Sequence, residues 1–383
     1  MTARILPSCV SQPRRRRAHH KSRQGCAECK TRHIKCDENR PNCTNCVTSE
    51  RRCSFREFRI PAPPSSSTSP TPSEAGHRSS VMPQAPGRFT VTHLACLHHA
   101  EGHMDEYMAL RGSAQSVISI AISNATVAPF LLDQLLALSA LHISTQDASR
   151  TLLFHHQATE LQTRALEVFN QSREEMNSTN YALVFLFASL LGIHVLRETL
   201  ANHRDNLSTF VEAFIRYLQL HRGVRTFITD ESWAQILKSD LRPLLFLSDA
   251  SDKLDKHAVG LETAKLKEFL ASYECTSDST SPCQDALGWM QWVLNLCNQD
   301  ATDECLGIHA VIAWPLVISD KYIEALHQRR PEAFAVLAFY AAALHRYRQF
   351  WVFDGAGLFL LDHIYSSIGS YWLSHLDLPR DSD

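Results

Sequence analysis

Residues 26–53 read CAECKTRHIKCDENRPNCTNCVTSERRC, and half of the chain's twelve cysteines fall within these 28 residues. The spacing is Cys26-x2-Cys29-x6-Cys36-x6-Cys43-x2-Cys46-x6-Cys53, and the second half repeats the first at an offset of 17 throughout. The larger apolar residues of the stretch are Ile34 and Val47, so it has almost no oily interior to fold around. Segments shorter than about 40 residues usually need a metal or disulfides to hold a shape. Met1 to Val10 lacks the apolar run of a secretory signal, and four arginines, Arg14, Arg15, Arg16 and Arg17, follow it. The thiols are therefore expected in a reducing compartment, where disulfides are rare and clustered cysteines hold metal.

Six thiolates make three pairs, yet two tetrahedral zinc ions need eight ligand positions, so two sulfurs must be shared. The internal repeat points to the equivalent positions Cys26 and Cys43. One ion then takes Cys26, Cys29, Cys36 and Cys43; the other takes Cys43, Cys46, Cys53 and Cys26. An iron–sulfur site would use four thiolates and leave two without a role. A single-strand RNA knuckle would want aromatic stacking platforms, and no Phe, Tyr or Trp lies between Cys26 and Cys53.

With Gly25 before the first cysteine, the basic run Lys30-Thr31-Arg32-His33-Ile34-Lys35, Asp37 after the third cysteine and Pro41 two before the fourth, residues 19–57 closely resemble the fungal binuclear zinc cluster, the Zn2Cys6 family of transcription factors. The resemblance implies two Zn2+ ions in one binuclear cluster, the same bridging pair, and a cis or tight-turn Pro41 between the halves. It also implies recognition of a CGG-type triplet in double-stranded DNA, with Arg32 and His33 at base-reading positions and Lys30 and Lys35 at phosphate or neighbouring contacts. Guanine N7 and O6 suit a cation with two donors; His33 departs from the lysine or arginine of relatives, and a neutral imidazole offers one donor.

Charge supports the same division of labour. Two Zn2+ and six thiolates sum to −2, so neighbouring cations must overcome that charge before phosphate can approach. Lys21, Arg23, Lys30, Arg32, His33, Lys35, Arg51, Arg52, Arg56 and Arg59 are placed to do so. The halves differ: Val47, Ser49, Glu50 and Arg52 stand where the first half has Lys30, Arg32, His33 and Lys35, so the first half is expected to face DNA, with the N-terminal end of its short helix entering the major groove. Residues 1–60 carry 15 Lys and Arg against 5 Asp and Glu, or +10, while the remainder carries 23 against 35, or −12. A basic head on an acidic body suggests a polyanion-binding segment joined to something else. Arg14 to Arg17 fit a nuclear-import signal or a phosphate-gripping arm.

Beyond the head, residues 61–87 hold seven of the chain's sixteen prolines and seven serines, a composition expected to stay disordered. From about residue 90 onward helical periodicity dominates. Phe130, Leu131, Leu135, Leu138, Leu141 and His142 trace one face; Leu152, Leu153, His156, Leu161, Ala165, Val168 and Phe169 another; Phe210, Phe214, Tyr217, Leu218 and His221 a third. Pro331 opens a further helix carrying Phe334, Leu337, Ala338, Ala341 and Leu344, at a position where a missing N–H costs nothing. The longest apolar run, Tyr181 to Leu196, is shorter than the roughly 20 residues of a membrane span and reads as a buried helix. The expected fold is mostly α: residues 1–20 a basic disordered arm, 21–57 the zinc-cluster DNA-binding domain, 58–90 a Pro/Ser-rich linker, and 91–383 an all-helical regulatory domain of about ten helices, with breaks near 145–150, 223–231 and 276–284.

Through Pro129-Phe130-Leu131-Leu132, Leu136 to His142, Leu220-His221-Arg222-Gly223-Val224, Trp314 to Ser319, Arg330-Pro331-Glu332-Ala333 and Phe350-Trp351, residues 91–378 resemble the regulatory domain of sterol uptake control-type regulators. The resemblance implies a helical effector domain, with transcription machinery and a small-molecule or lipid effector as partners. Other chemistry fits poorly. Gly355-Ala356-Gly357 lacks the third glycine of a dinucleotide loop. His98-His99 and His155-His156 are adjacent pairs that do not share a helix face. Cys275, Cys283, Cys297 and Cys305 read as packed thiols rather than redox sensors. The expected protein is a nuclear, non-enzymatic regulator of RNA polymerase II transcription, a pathway-specific activator of the kind found with fungal secondary-metabolite gene clusters. The alternatives are a repressor or lipid-responsive regulator with the same head, and a metal-dependent enzyme using the helical body. The Pro-rich stretch after the cluster forbids a coiled coil there, which leaves a monomer on one triplet or a homodimer through the body.

Overall fold

The computed structural model describes residues 25–39, 42–49, 51, 53–54, 90–172, 181–225, 230–253, 260–272, 277–299, 304–376 and 378. The basic arm, Pro41 and all of the Pro/Ser-rich stretch but Thr90 lie outside them. The chain divides into two compact units, Met1–Met82 and Pro83–Asp383. Among the described residues there is no strand, and the fold is mostly α.

Among its described residues the first unit holds two short helices, α1 (Ala27–Thr31) and α2 (Thr44–Thr48), packed on each other. The hydrophobic core of those described residues consists of the six cysteines. The second unit holds fifteen α-helices among its described residues: α3 (Val91–Tyr107), α4 (Ala114–Ser123), α5 (Pro129–Gln146), α6 (Thr151–Ser172), α7 (Tyr181–Asn202), α8 (Leu207–Arg225), α9 (Asp230–Ile236), α10 (Phe246–Lys253), α11 (Ala264–Ser272), α12 (Ser277–Gln299), α13 (Glu304–Val317), α14 (Asp320–His327), α15 (Pro331–Arg346), α16 (Ala356–Ser367) and α17 (Ser370–Leu373). This exceeds the ten expected, because α9, α10, α14 and α17 are too short to produce a readable period.

Two helices are enclosed and organise the rest. α5 is packed by α3, α4, α6 and α7; α15 by α12, α13, α14, α16 and α17; α8 lies on α7, α13, α14 and α16. Phe130 to Ser144 are buried without a break, as are Glu332 to Ala341, so these helices have no solvent face where one apolar face was expected. Local chemistry starts the elements. Thr90 and His93 form a capping box on α3, each side chain accepting the other's backbone N–H. Pro129 and Pro331 occupy first-turn positions of α5 and α15.

The face expected for α6 is corrected. Leu152 and Leu153 are 88% and 57% exposed, and the buried stripe is Phe154, Ala158, Leu161, Ala165 and Phe169. The α8 stripe stands as read: Phe210, Phe214, Tyr217, Leu218 and His221 are all buried. The break at 145–150 is present between α5 and α6. The break expected at 276–284 is instead the start of α12, with Pro282 inside the helix. A proline this close to a helix start forfeits a single backbone bond, and the buried run Cys283, Ala286, Leu287 and Met290 holds the helix against the core. α7 is apolar and long enough to cross a membrane by length and composition, but 67% of its apolar window is buried inside the helical unit.

Candidate metal centre and nucleic-acid interface

The 17-residue offset is carried into the backbone. Cys26 N–H donates to Cys36 Sγ at 3.4 Å, and Cys43 N–H to Cys53 Sγ at 3.4 Å. Thr31 Oγ1 donates to the Ala27 carbonyl at 3.1 Å, and Thr48 Oγ1 to the Thr44 carbonyl at 2.9 Å. Ile34 N–H closes α1 on the Cys29 carbonyl at 3.1 Å, and Arg51 N–H closes α2 on the Cys46 carbonyl at 2.9 Å. Each half is thus one helical turn between a Cys-x2-Cys pair, followed by a return that brings its third cysteine under its first.

The six thiols meet at the centre. Cys26 Sγ lies 3.6 Å from Cys43 Sγ and 3.7 Å from Cys46 Sγ, and Cys29 Sγ lies 3.6 Å from Cys43 Sγ. The edge of a tetrahedron of sulfurs at the Zn–S distance of 2.3 Å is about 3.8 Å, so these separations fit zinc without rearrangement. Burial, then contacts with Cys26, Cys43 and Cys36, push the Cys29 thiol well above its ordinary range. Burial, then contacts with Cys43, Cys26 and Cys53, push Cys46 up to about 12. Without metal these thiols would keep their protons; zinc coordination displaces them and turns a costly burial into the source of the fold. Cys29 has Cys26, Cys43 and Cys36 for neighbours, and Cys46 has Cys43, Cys26 and Cys53.

Lys30, Arg32, His33 and Lys35 are all exposed on the first half. They gather at the C-terminal end of α1. At its N-terminal end the Cys29 N–H is taken by Cys26 Sγ at 3.4 Å and the Ala27 N–H by Ser54 Oγ at 2.8 Å. Arg32 is the C-cap. His33 has φ +53°, and its N–H bonds the Lys30 carbonyl at 3.2 Å. With the Ile34 bond this is a Schellman motif, which usually places glycine at the left-handed position. A histidine there is strained.

A polar clasp joins the halves, and the sequence reading assigned it no role. The Asp37 carboxylate accepts from Thr44 N–H at 3.1 Å, Thr44 Oγ1 at 2.6 Å and Asn39 Nδ2 at 2.8 Å; the Thr44 bonds hold its acidity stronger than an ordinary carboxyl. Asn45 Nδ2 donates to the Lys35 carbonyl at 2.7 Å. Arg51, expected on the DNA side, pairs with Glu28 at 2.9 Å. The available signal was the set of positions at which the repeat fails, Glu28 against Asn45 and Arg32 against Ser49. Lys21, Arg23, Arg52 and Arg14 to Arg17 lie outside the described residues.

The remaining motifs are structural. Gly357 sits at the crossing of α15 and α16, where a Cβ would come within 2.4 Å of His345 N. His99 and His142 hydrogen-bond to each other at 2.8 Å beside Tyr107 and Trp351, and His155 pairs with Glu198 at 3.3 Å. Burial raises the Cys283 and Cys297 thiols. Among the described residues, groups of three or more Cys, His, Asp or Glu close enough to share a metal occur only in the cysteine unit.

The pattern of the fungal Zn(2)-Cys(6) binuclear cluster domain matches residues 24–60. A Zn(2)-C6 fungal-type transcription factor of Gibberella zeae is 23% identical over 434 residues, covering 95% of this chain and 86% of that one. Sterol uptake control protein 2 of Candida albicans is 49% identical over 41 residues, 11% of this chain and 6% of that protein. The protein of the same name in Saccharomyces cerevisiae is 42% identical over 46 residues, 12% and 5%. Matches this short do not reach across residues 91–378, so the likeness to sterol regulators is local and the wider resemblance is corrected. With its six thiols at zinc spacing inside the matched segment and a 23% identical transcription-factor relative along nearly all its length, the chain carries a fungal-type binuclear zinc-cluster domain for two zinc ions, a domain type that supports DNA binding and transcription regulation.

Proposed function

We propose that the chain is a nuclear activator of RNA polymerase II transcription that recognises a CGG-type triplet through the first half of its zinc cluster. Cys26 and Cys43 bridge the two ions; Cys29 and Cys36 complete one site, and Cys46 and Cys53 the other. Arg32 and His33 read bases, Lys30 and Lys35 hold phosphate, and Lys21, Arg23 and Arg52 extend the charged surface. Arg14 to Arg17 serve nuclear import. Residues 21–57 act as the DNA-binding domain, 58–90 as the tether and 91–383 as a regulatory, non-catalytic body that receives an effector or contacts the transcription machinery. Targets in a secondary-metabolite gene cluster fit this architecture.

The observation that supports the reading best is the concentration of four exposed basic side chains at one end of α1, set against Val47 and Ser49 at the matching end of α2. Clustered cations supply affinity and salt dependence, each neutralised phosphate adding roughly −0.9 to the log–log salt slope. A donor pair on guanine supplies discrimination of about 1–3 kcal/mol. The test is binding of the full chain to a CGG duplex and to a scrambled duplex. Arg32→Ala is expected to erase most of the difference between the two, and Cys26→Ala to abolish zinc uptake and DNA binding together. Intact binding by the Cys26 variant, or full discrimination without Arg32, overturns the assignment. Reporter expression with residues 91–383 deleted fixes the sign of regulation.

A further inference from the structure

The two helices of the cluster are equivalent by the 17-residue offset, and Arg32 and Ser49 occupy the same position in each. They also touch: Arg32 Nη1 donates to Ser49 Oγ at 2.9 Å across the junction of the halves. Ser49 Oγ in turn donates to the Asn45 carbonyl one turn earlier on α2. A serine hydroxyl has one hydrogen and two lone pairs. With that hydrogen committed to Asn45, the oxygen can only accept, and the guanidinium is the group it accepts from. The direction of this chain, Arg32 to Ser49 to Asn45, is therefore fixed. Asn45 also holds the backbone at Lys35 through its side chain, so two neighbours on α2 tie down two cations of the first half.

We infer that Ser49, a half-buried residue of the second half, is a positioning residue for DNA recognition: it holds the Arg32 guanidinium by one Nη1 hydrogen and leaves the Nε–Nη2 edge, which has no other partner among the described residues, to fork onto guanine. This rests on the proposed role of Arg32. An exposed arginine carries large rotamer freedom, which is lost when both donors are aligned on one base. Anchoring one corner to a residue that does not itself touch DNA removes part of that loss before binding. The second half, which has Ser49 where the first has Arg32, contributes by orienting that arginine.

The test is a double-mutant cycle on the full zinc-loaded chain, using fluorescence anisotropy with a CGG duplex and a scrambled duplex. Ser49→Ala is expected to weaken CGG binding about five- to tenfold, the size of one exchanged hydrogen bond, and to leave scrambled binding and the salt slope unchanged. Ser49→Thr, which keeps the hydroxyl, restores affinity. In the Arg32→Ala background the Ser49 substitution has no further effect. Cobalt absorption of the Co2+-substituted protein stays the same in every variant, which separates positioning from damage to the cluster. If Arg32→Ala is strongly impaired while Ser49→Ala binds like the parent or more tightly, the Ser49 inference is overturned and the role of Arg32 stands. If Arg32→Ala itself discriminates fully, the underlying reading of Arg32 has failed.

Discussion

Asp133 has no exposed surface, and its charge is met by a two-point pairing with Arg164, Nη2 at 2.6 Å and Nε at 2.8 Å. Removing one partner of such a pair leaves an uncompensated charge in a medium that solvates it poorly. Arg164→Ala is therefore expected to lower unfolding stability of the helical unit by about 3–5 kcal/mol, whereas loss of the exposed Arg150–Asp147 pair should cost under about 1 kcal/mol. Urea denaturation of the two variants checks the contrast. Neither the pair nor its depth was legible in the sequence, because ion pairs 31 residues apart leave no periodic trace. The same limit explains the misread face of α6. Leu152 and Leu153 are as apolar as Phe154, and only contact with α5 decides that the stripe runs through Phe154, Ala158 and Leu161. Gly357 was visible as a glycine but not as a helix crossing, since its constraint comes from the backbone of α15.

At the scale of elements, α1 and α2 are five residues each, far below the length at which an isolated helix is stable. They persist because each Cys-x2-Cys pair fixes a turn from inside. That much followed from spacing, because the 17-residue repeat of thiols leaves few ways to close two metal sites. The left-handed close of α1 at His33 did not follow, since the position is one usually taken by glycine. His33 offers a way to separate the fold of this element from its use. Its left-handed backbone costs roughly 1–2 kcal/mol for a residue with a Cβ, against about 0.5–1 kcal/mol of extra chain entropy for glycine. His33→Gly should thus stabilise the first unit by roughly 0.5–1 kcal/mol. Because zinc binding and folding are one equilibrium here, that gain is read as zinc held about two- to fivefold more tightly against a chromophoric chelator. The same variant should bind the CGG duplex more weakly than the parent. Zinc affinity unchanged or reduced would show that the left-handed turn carries no strain.

For the whole molecule, the basic head, acidic body and cysteine cluster were plain in composition, while the arrangement of helices around α5 and α15 emerged only with tertiary contacts. The two units also respond to acid through different groups. In the helical unit, burial lowers His194 to about 3 and His99, His142 and His221 to about 4, from an ordinary 6.5. The unfolded chain takes up these protons as pH drops below 6.5, and the folded chain refuses them until about pH 4. Stability from the neutral imidazoles is therefore complete above pH 6.5 and falls steadily as pH descends toward 4. His194 is fully buried between α5 and α7, where Nδ1 meets Gln134 at 3.3 Å. At 1.36 kcal/mol per pH unit it alone accounts for roughly 2 kcal/mol between pH 6.5 and pH 5. All six tryptophans, Trp233, Trp289, Trp292, Trp314, Trp351 and Trp372, lie in the helical unit, so their fluorescence follows its unfolding without interference from zinc release at the head. Urea titrations at pH 7 and pH 5 should show His194→Gln losing less stability on acidification than the parent, by that roughly 2 kcal/mol. An unaltered pH dependence would assign the acid sensitivity to the other buried histidines, His93, His99, His142 and His221.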